Sequence, residues 1–124
     1  MPGSKRCLTT IATLLLAVAC GPRPSVLESF DSVTWKDGES AEFSQEAPRL
    51  EMADRLIRSK ELLGLSRSEV ERLLGPSTET EKWRNWDFVY WLGAERGFIS
   101  IDSEWLVIRV NEDGHVREAE IVKD

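Results

Sequence analysis

The residue with the clearest chemical role in this chain of 124 residues is Cys20, which directly follows three small residues, Ala17 to Ala19. The first six residues include the cations Lys5 and Arg6, and an apolar run from Leu8 to Ala19 follows. A positive start, a short apolar stretch and small residues at a cut site are typical of a secretory signal. An enzyme can alkylate the Cys20 thiol, and cleavage then exposes the cysteine amine for a further acyl chain.

The segment around Cys20 resembles a bacterial lipobox, with Ala17 where leucine is usual. An apolar run of twelve residues rises only about 18 Å as a helix, against roughly 30 Å of bilayer hydrocarbon, so a transmembrane helix is the weaker interpretation. The alternative is an ordinary secreted protein that is cut near Ala19. We expect residues 1–19 to be a lipoprotein signal peptide and Cys20 to be the lipid attachment site.

Other residues that could do chemistry form no recognisable catalytic or metal-binding pattern. His115 is the single histidine and follows a turn glycine, and no cysteine occurs after Cys20. The pairs Glu79/Glu81 and Asp102/Glu104 could serve glycoside hydrolysis, but solvated charge at strand ends is the simpler interpretation in a chain with 22 acidic residues. We therefore expect no enzyme activity, metal or cofactor, and keep an enzyme acting on cell-wall glycan as the alternative.

The five tryptophans are the better functional signal. Strand alternation predicts that Phe88 and Tyr90 face the helices together with Trp86. It places four residues on the opposite face of the sheet, namely Val89, Trp91, Trp105 and Val107. This face would be a surface for binding a partner, unless Phe30 and Trp35 of the N-terminal arm cover it.

The charge balance excludes one large class of partner. The chain has 16 basic and 22 acidic residues, and loss of Lys5 and Arg6 with the signal leaves 14 against 22, a net charge of −8. Such a surface repels phosphate backbones, so we expect no nucleic-acid binding. It also has little electrostatic affinity for anionic headgroups, so membrane association should come from the acyl anchor.

The elements that position these residues can be predicted from periodicity and local signals. Apolar spacing predicts one helix over about 49–63, ended by Gly64, and a second over about 66–74. Ser66 and Glu69 have the spacing of a capping box, and Gly75 suits the end of that helix. Alternating segments after Trp86 predict a three- to four-stranded antiparallel meander, with a turn at 111–114 and a short contribution from 98–101. The fold class is therefore α+β, with two helices packed on the meander in two layers.

The domain organisation follows from the same pass along the chain. Residues 20–29 contain two prolines and two serines and predict a flexible tether. Residues 30–124 are expected to form a single α+β domain, in which 30–36 is a short strand or an ordered arm and 37–48 is a loop.

Three segments together resemble one bacterial family. They are Gly64–Pro76, the aromatic strand ending Tyr90-Trp91-Leu92-Gly93, and the turn at 111–116, and the stretch from the first to the last covers about half of the chain. They resemble the SmpA/OmlA family of small outer-membrane lipoproteins, and the sequence looks like an uncharacterised subgroup of it. The resemblance implies two helices on a three-stranded sheet, the fold of an accessory lipoprotein of outer-membrane assembly and of β-lactamase inhibitory proteins.

These observations lead to one functional expectation. We expect a membrane-anchored envelope lipoprotein that acts as a non-enzymatic binding or scaffolding module, with another envelope protein as partner. Besides the glycan enzyme, an inhibitor of a hydrolase stays open as an alternative. Gly21 is not the aspartate associated with inner-membrane retention, so the outer membrane, facing the periplasm, is favoured over the inner membrane.

Overall fold

The computed structural model describes residues 25–38, 47–97 and 101–124, which form three helices and one sheet. The helices are α1 (Ser32–Asp37), α2 (Pro48–Ser59) and α3 (Arg67–Leu74). The strands β1 (Phe88–Ala94), β2 (Ser103–Val110) and β3 (Val116–Lys123) pair antiparallel in the order β1-β2-β3. The predicted α+β class and antiparallel meander are confirmed, whereas most of the predicted contribution from 98–101 lies outside the described residues.

Helix α2 is shorter than predicted, because it ends at Ser59 and not before Gly64. Lys60 takes a left-handed conformation with φ 59°. The Ser59 hydroxyl donates to the Leu56 carbonyl at 3.0 Å and accepts from the Glu61 N–H at 3.3 Å, so it competes with the helical backbone pattern. The turn that follows buries Leu62, which is 1% exposed. Burial of this leucine, which no local signal specifies, accompanies the early end of the helix.

Helix α3 confirms the predicted capping box. The Ser66 hydroxyl accepts from the Glu69 N–H at 3.2 Å, and the Glu69 carboxylate accepts from the Ser66 N–H at 3.1 Å. Gly75 follows the helix with φ 78°, and its N–H donates to Glu71. The helix is only eight residues long, so it also depends on its buried residues Val70 and Leu74.

The core lies between the helices and one face of the sheet. Its fully buried residues alternate along β1 and β2 and recur along α2 and α3 at helical spacing. They include Ala53, Leu56, Val70, Leu74, Tyr90, Leu92, Leu106 and Ile108. The predicted turn between β2 and β3 is present, with the Gly114 N–H donating to the Asn111 carbonyl at 3.0 Å and Gly114 at φ 81°.

The N-terminal arm is a short helix and not a strand. The Asp31 side chain accepts from the Thr34 N–H at 3.0 Å and so caps α1. Trp35 is fully buried on the helix side of the sheet, where its ring meets Tyr90 at 5.9 Å and its Nε1 donates to the Leu74 carbonyl at 3.1 Å. The arm therefore forms part of the main core and does not cover the opposite face of the sheet.

The predicted tether of 20–29 is too long, because residues 25–29 form a turn bound to the domain. The Ser25 hydroxyl and the Val26 N–H both donate to the Glu61 carboxylate, at 2.5 and 2.8 Å. Val26, Leu27 and Phe30 pack against the core. These polar contacts lower the pKa of Glu61. Residues 20–24, including Cys20, lie outside the described residues.

Candidate functional site: the tryptophan face of the sheet

The four residues predicted to share the far face of the sheet do share it. Val89 lies opposite Val107, and Trp91 lies opposite Trp105, in the register of β1 with β2. Val89, Trp105 and Val107 form a second apolar cluster, separate from the main core, against which Val122 of β3 also packs.

This face is largely covered, and the cover comes from the segment before β1. Val107 is fully buried and Val89 and Trp105 are each 7% exposed, so only Trp91 is half-buried. Trp83 and Trp86 pack on the cluster. The prediction that Trp86 faces the helices is therefore wrong. Residues 83–86 form a turn, with Trp83 at φ 60° and the Trp86 N–H donating to the Trp83 carbonyl, so strand alternation starts only at Phe88.

The covering segment is fixed along the outer edge of β1. The Thr78 N–H donates to the Val89 carbonyl at 2.8 Å, and the Val89 N–H donates to the Ser77 hydroxyl at 3.2 Å. The Trp91 N–H donates to the Thr78 hydroxyl at 3.0 Å. These bonds satisfy the edge of β1 and hold the segment that carries the two additional tryptophans.

Two features of the covering tryptophans describe the chemistry of this face. The Arg109 guanidinium lies 4.0 Å from the centre of the Trp86 ring, which is a cation–π geometry. The Trp83 Nε1 is buried and has no hydrogen-bond partner in the described part of the chain. The face is thus an apolar layer with a cation at its rim.

A second arrangement, which the sequence analysis missed, centres on Arg49. This side chain is 2% exposed and bridges two elements. Its Nε donates to the Trp35 carbonyl at 2.6 Å, its Nη1 donates to the Trp91 carbonyl at 3.0 Å, and its guanidinium lies 4.8 Å from the Trp35 ring centre. One sequence signal was present, since a cation in the first turn of a helix is disfavoured by the helix dipole and needs another reason to be there.

A third arrangement joins α2 to the sheet through Arg96. Its guanidinium donates to Glu104 at 2.8 Å and to Asp54 at 2.5 Å. Glu104 is only 2% exposed, so the expectation of a solvated carboxylate is wrong for this residue, whereas Glu79, Glu81 and Asp102 are exposed. Hydrogen bonds from Arg96 lower the pKa of both Glu104 and Asp54.

A buried hydroxyl on β1 also joins two parts of the fold. The Tyr90 hydroxyl donates to the Gly75 carbonyl at 2.9 Å, and burial raises the pKa of that hydroxyl. His115 is exposed in its turn. Among residues 25–38, 47–97 and 101–124, no group of three His, Cys, Asp or Glu side chains could hold a metal ion.

None of the helices in the described part of the chain is long and apolar enough to cross a membrane. No protein-family model, no curated protein and no solved structure matches the chain.

Proposed function

We propose that this chain is the precursor of a bacterial lipoprotein, anchored through Cys20, whose folded domain is a non-enzymatic binding or scaffolding module of the cell envelope. The observation that carries the proposal is the N-terminal order of cations, apolar run, small residues and Cys20. Two or three acyl chains give stable anchoring, because each buried CH₂ contributes about 0.8 kcal/mol.

The domain itself supports a binding role more than a catalytic one. The buried groups that could do chemistry, Arg49, Tyr90 and Glu104, bond to carbonyls or to an ion-pair partner within the fold. The resemblance to SmpA/OmlA lipoproteins supports the same role and an outer-membrane location facing the periplasm.

The anchor is tested by mass and by fractionation. Intact mass of protein extracted from membranes should show loss of residues 1–19 and gain of acyl mass. A Cys20→Ala variant should leave the membrane fraction, whereas Cys7→Ala, which removes the other cysteine of the chain, should stay anchored. Membrane retention of the Cys20→Ala variant would refute the anchoring.

The binding role is tested separately by cross-linking the anchored protein in cells. We expect the same envelope protein to be recovered under several cross-linking conditions. Recovery of none would count against a binding module, even with the anchor established.

A further inference from the structure

The outer edge of β3 has backbone groups that nothing in the described chain satisfies. The Val89 N–H donates outward to Ser77, and the Val89 C=O accepts from Thr78. Val107, which lies opposite Val89, therefore points its own N–H and C=O toward β3, where it pairs with Glu120. The residues that alternate with Glu120, namely Ala119, Ile121 and Lys123, therefore turn their N–H and C=O groups away from the sheet. None of these groups has a hydrogen-bond partner within the described ranges.

At other places along the edges of the sheet, the outward backbone groups do have hydrogen-bond partners. At the start of β3, the Val116 carbonyl accepts from the Gly64 N–H and the Val116 N–H donates to the Leu65 carbonyl, both at 2.8 Å. The edge of β1 is satisfied by Ser77 and Thr78. An unpaired row of donors and acceptors on an edge strand is a template for another strand.

A groove runs beside this edge on the helix side of the sheet. Its volume is about 320 Å³, and it lies between the end of α2 and β3. Among the described residues, Leu63, which is 47% exposed, is one of the few large apolar side chains left in solvent. The apolar lining of the groove consists of Leu56, Ile57, Leu62, Leu63 and Ala119.

The polar rim of the groove favours a partner that carries negative charge. Lys60 and Arg117 line it, together with Glu118. Glu118 is already engaged, because Arg109 donates to its carboxylate and Arg117 lies 3.6 Å from the same oxygen, so one carboxylate is shared by two arginines. The cations of the rim therefore exceed the free carboxylates, although the chain as a whole carries a net charge of −6.

We propose that the β3 edge binds an extended segment of a partner protein as an added fourth strand. Backbone hydrogen bonds to Ala119, Ile121 and Lys123 give the segment its register, and one of its alternate apolar side chains enters the groove at Leu63. An acidic residue of the segment lies near Lys60 and Arg117. This inference deepens the proposed binding function, on which it rests, by naming the site and the class of partner.

A second copy of the chain fits this edge less well. Self-pairing of two β3 strands around Glu120 sets the two Glu120 side chains opposite each other and sets Arg117 opposite Lys123. Like charges directly opposite each other destabilise a strand pair. The net negative charge of the chain also opposes self-association.

The test uses the full-length ¹⁵N-labelled chain in detergent micelles and a synthetic peptide as probe. The probe alternates valine with threonine and has a glutamate at each end. We expect its addition to shift the amide signals of Leu63, Ala119, Ile121 and Lys123. N-methylation of alternate probe residues, on the bonding side, should weaken binding about tenfold or more, because it removes hydrogen-bond donors. A probe ending in lysines should bind several-fold more weakly.

Variants of β3 test the edge from the side of the protein. Ala119→Pro removes an outward N–H and leaves the pairs with β2 in place, and it should weaken binding about tenfold. Glu120→Gln, a change on the opposite face of the same strand, should leave affinity within a factor of about two. If Ala119→Pro fails to fold, the N-methylated probe decides the question with the natural chain.

Three results would overturn the proposal. One is the absence of shifts at these amides up to about 1 mM probe, which corresponds to a binding free energy weaker than about −4 kcal/mol. Another is equal binding of the N-methylated probe. A third is a concentration-dependent shift of the same amides without probe, which would assign the edge to a second copy. Failure here, while cross-linking still recovers an envelope protein, would leave the proposed function in place with its site elsewhere.

Discussion

Replacement of Arg49 by methionine should cost this small domain a large part of its stability. The guanidinium is 2% exposed and joins the start of α2 to α1 and β1 through the carbonyls of Trp35 and Trp91. Methionine replaces the aliphatic part of the side chain but has no guanidinium. Most of the loss should therefore come from the missing donors.

The magnitude follows mainly from the carbonyls of Trp35 and Trp91, because the third bond from Arg49, to the Lys36 carbonyl, is 3.5 Å long. A hydrogen bond from a charged donor contributes about 1.5–3 kcal/mol, and a buried acceptor left without a partner costs about 1–3 kcal/mol. Part of this cost is offset, because the variant no longer has to bury a cation. We expect a net loss of about 3–5 kcal/mol, which is a large share of the roughly 5–15 kcal/mol typical of a folded domain. Arg49→Lys should lose somewhat less, since one ammonium cannot reach both carbonyls with the geometry of the guanidinium.

The assay is equilibrium unfolding in urea, followed by tryptophan fluorescence. Arg55→Met is the matched control on the same helix, because Arg55 is 61% exposed and pairs with Glu51 at 3.2 Å on the surface. Its loss should stay below about 0.5 kcal/mol. The reasoning would be refuted if the Arg49→Met and Arg55→Met variants had the same stability within error.

Three further changes test other parts of the fold. Arg96→Gln should cost about 1–2 kcal/mol at neutral pH, discounted for the partly exposed arginine, and should flatten the loss of stability in acid. The direction of this pH dependence follows from the lowered pKa of Glu104. The ion pair stabilises the fold above about pH 4, and this stabilisation is lost as the pH falls through the pKa of Glu104 in the folded protein. Ser66→Ala should lower the unfolding free energy by about 1 kcal/mol, as expected for loss of an N-cap. Trp35→Phe should cost about 2–3 kcal/mol, since it leaves the Leu74 carbonyl unbonded, whereas Trp83→Phe should change stability by less than about 1 kcal/mol, because its N–H has no partner within the described residues.

Each of these changes has a control in the chain. Arg84→Gln breaks an exposed pair with Glu81 and should leave the pH profile of stability unchanged. Ser68→Ala removes a nearby hydroxyl that does not cap α3, and a loss equal to that of Ser66→Ala would argue against the cap. If Trp83→Phe were as costly as Trp35→Phe, the unpaired indole could not explain the difference between the two sites.

The elements with local signals were predictable from the sequence. Ser66 and Glu69 specify the start of α3 through contacts within one turn, and Gly114 specifies the turn between β2 and β3. Alternation alone places Val89, Trp91, Trp105 and Val107 on one face of the sheet, and the register of β1 with β2 confirms that placement.

The predictions that were wrong concern features that depend on contacts between residues far apart in the chain. Trp35 is buried through Leu74 and Tyr90, and nothing local in 30–36 favours one face of the sheet. Trp86 was assigned to the wrong face because strand periodicity was extended over a turn. Arg49 looks like an ordinary surface cation until the carbonyls of Trp35 and Trp91 are placed beside it.

The docking of Ser25 and Val26 on Glu61 sets how far the domain can reach. Under the proposed anchoring, residues 20–24 connect the acyl chains to Ser25, and five residues extend at most about 18 Å. This connection is shorter than the width of a domain of this size, which is about 30 Å. The domain would therefore lie within about one domain width of the bilayer surface. Glu61 limits this length, because its carboxylate holds Ser25 and Val26 on the domain. Protonation of the carboxylate in acid would weaken both contacts and let residues 25–29 lengthen the connection.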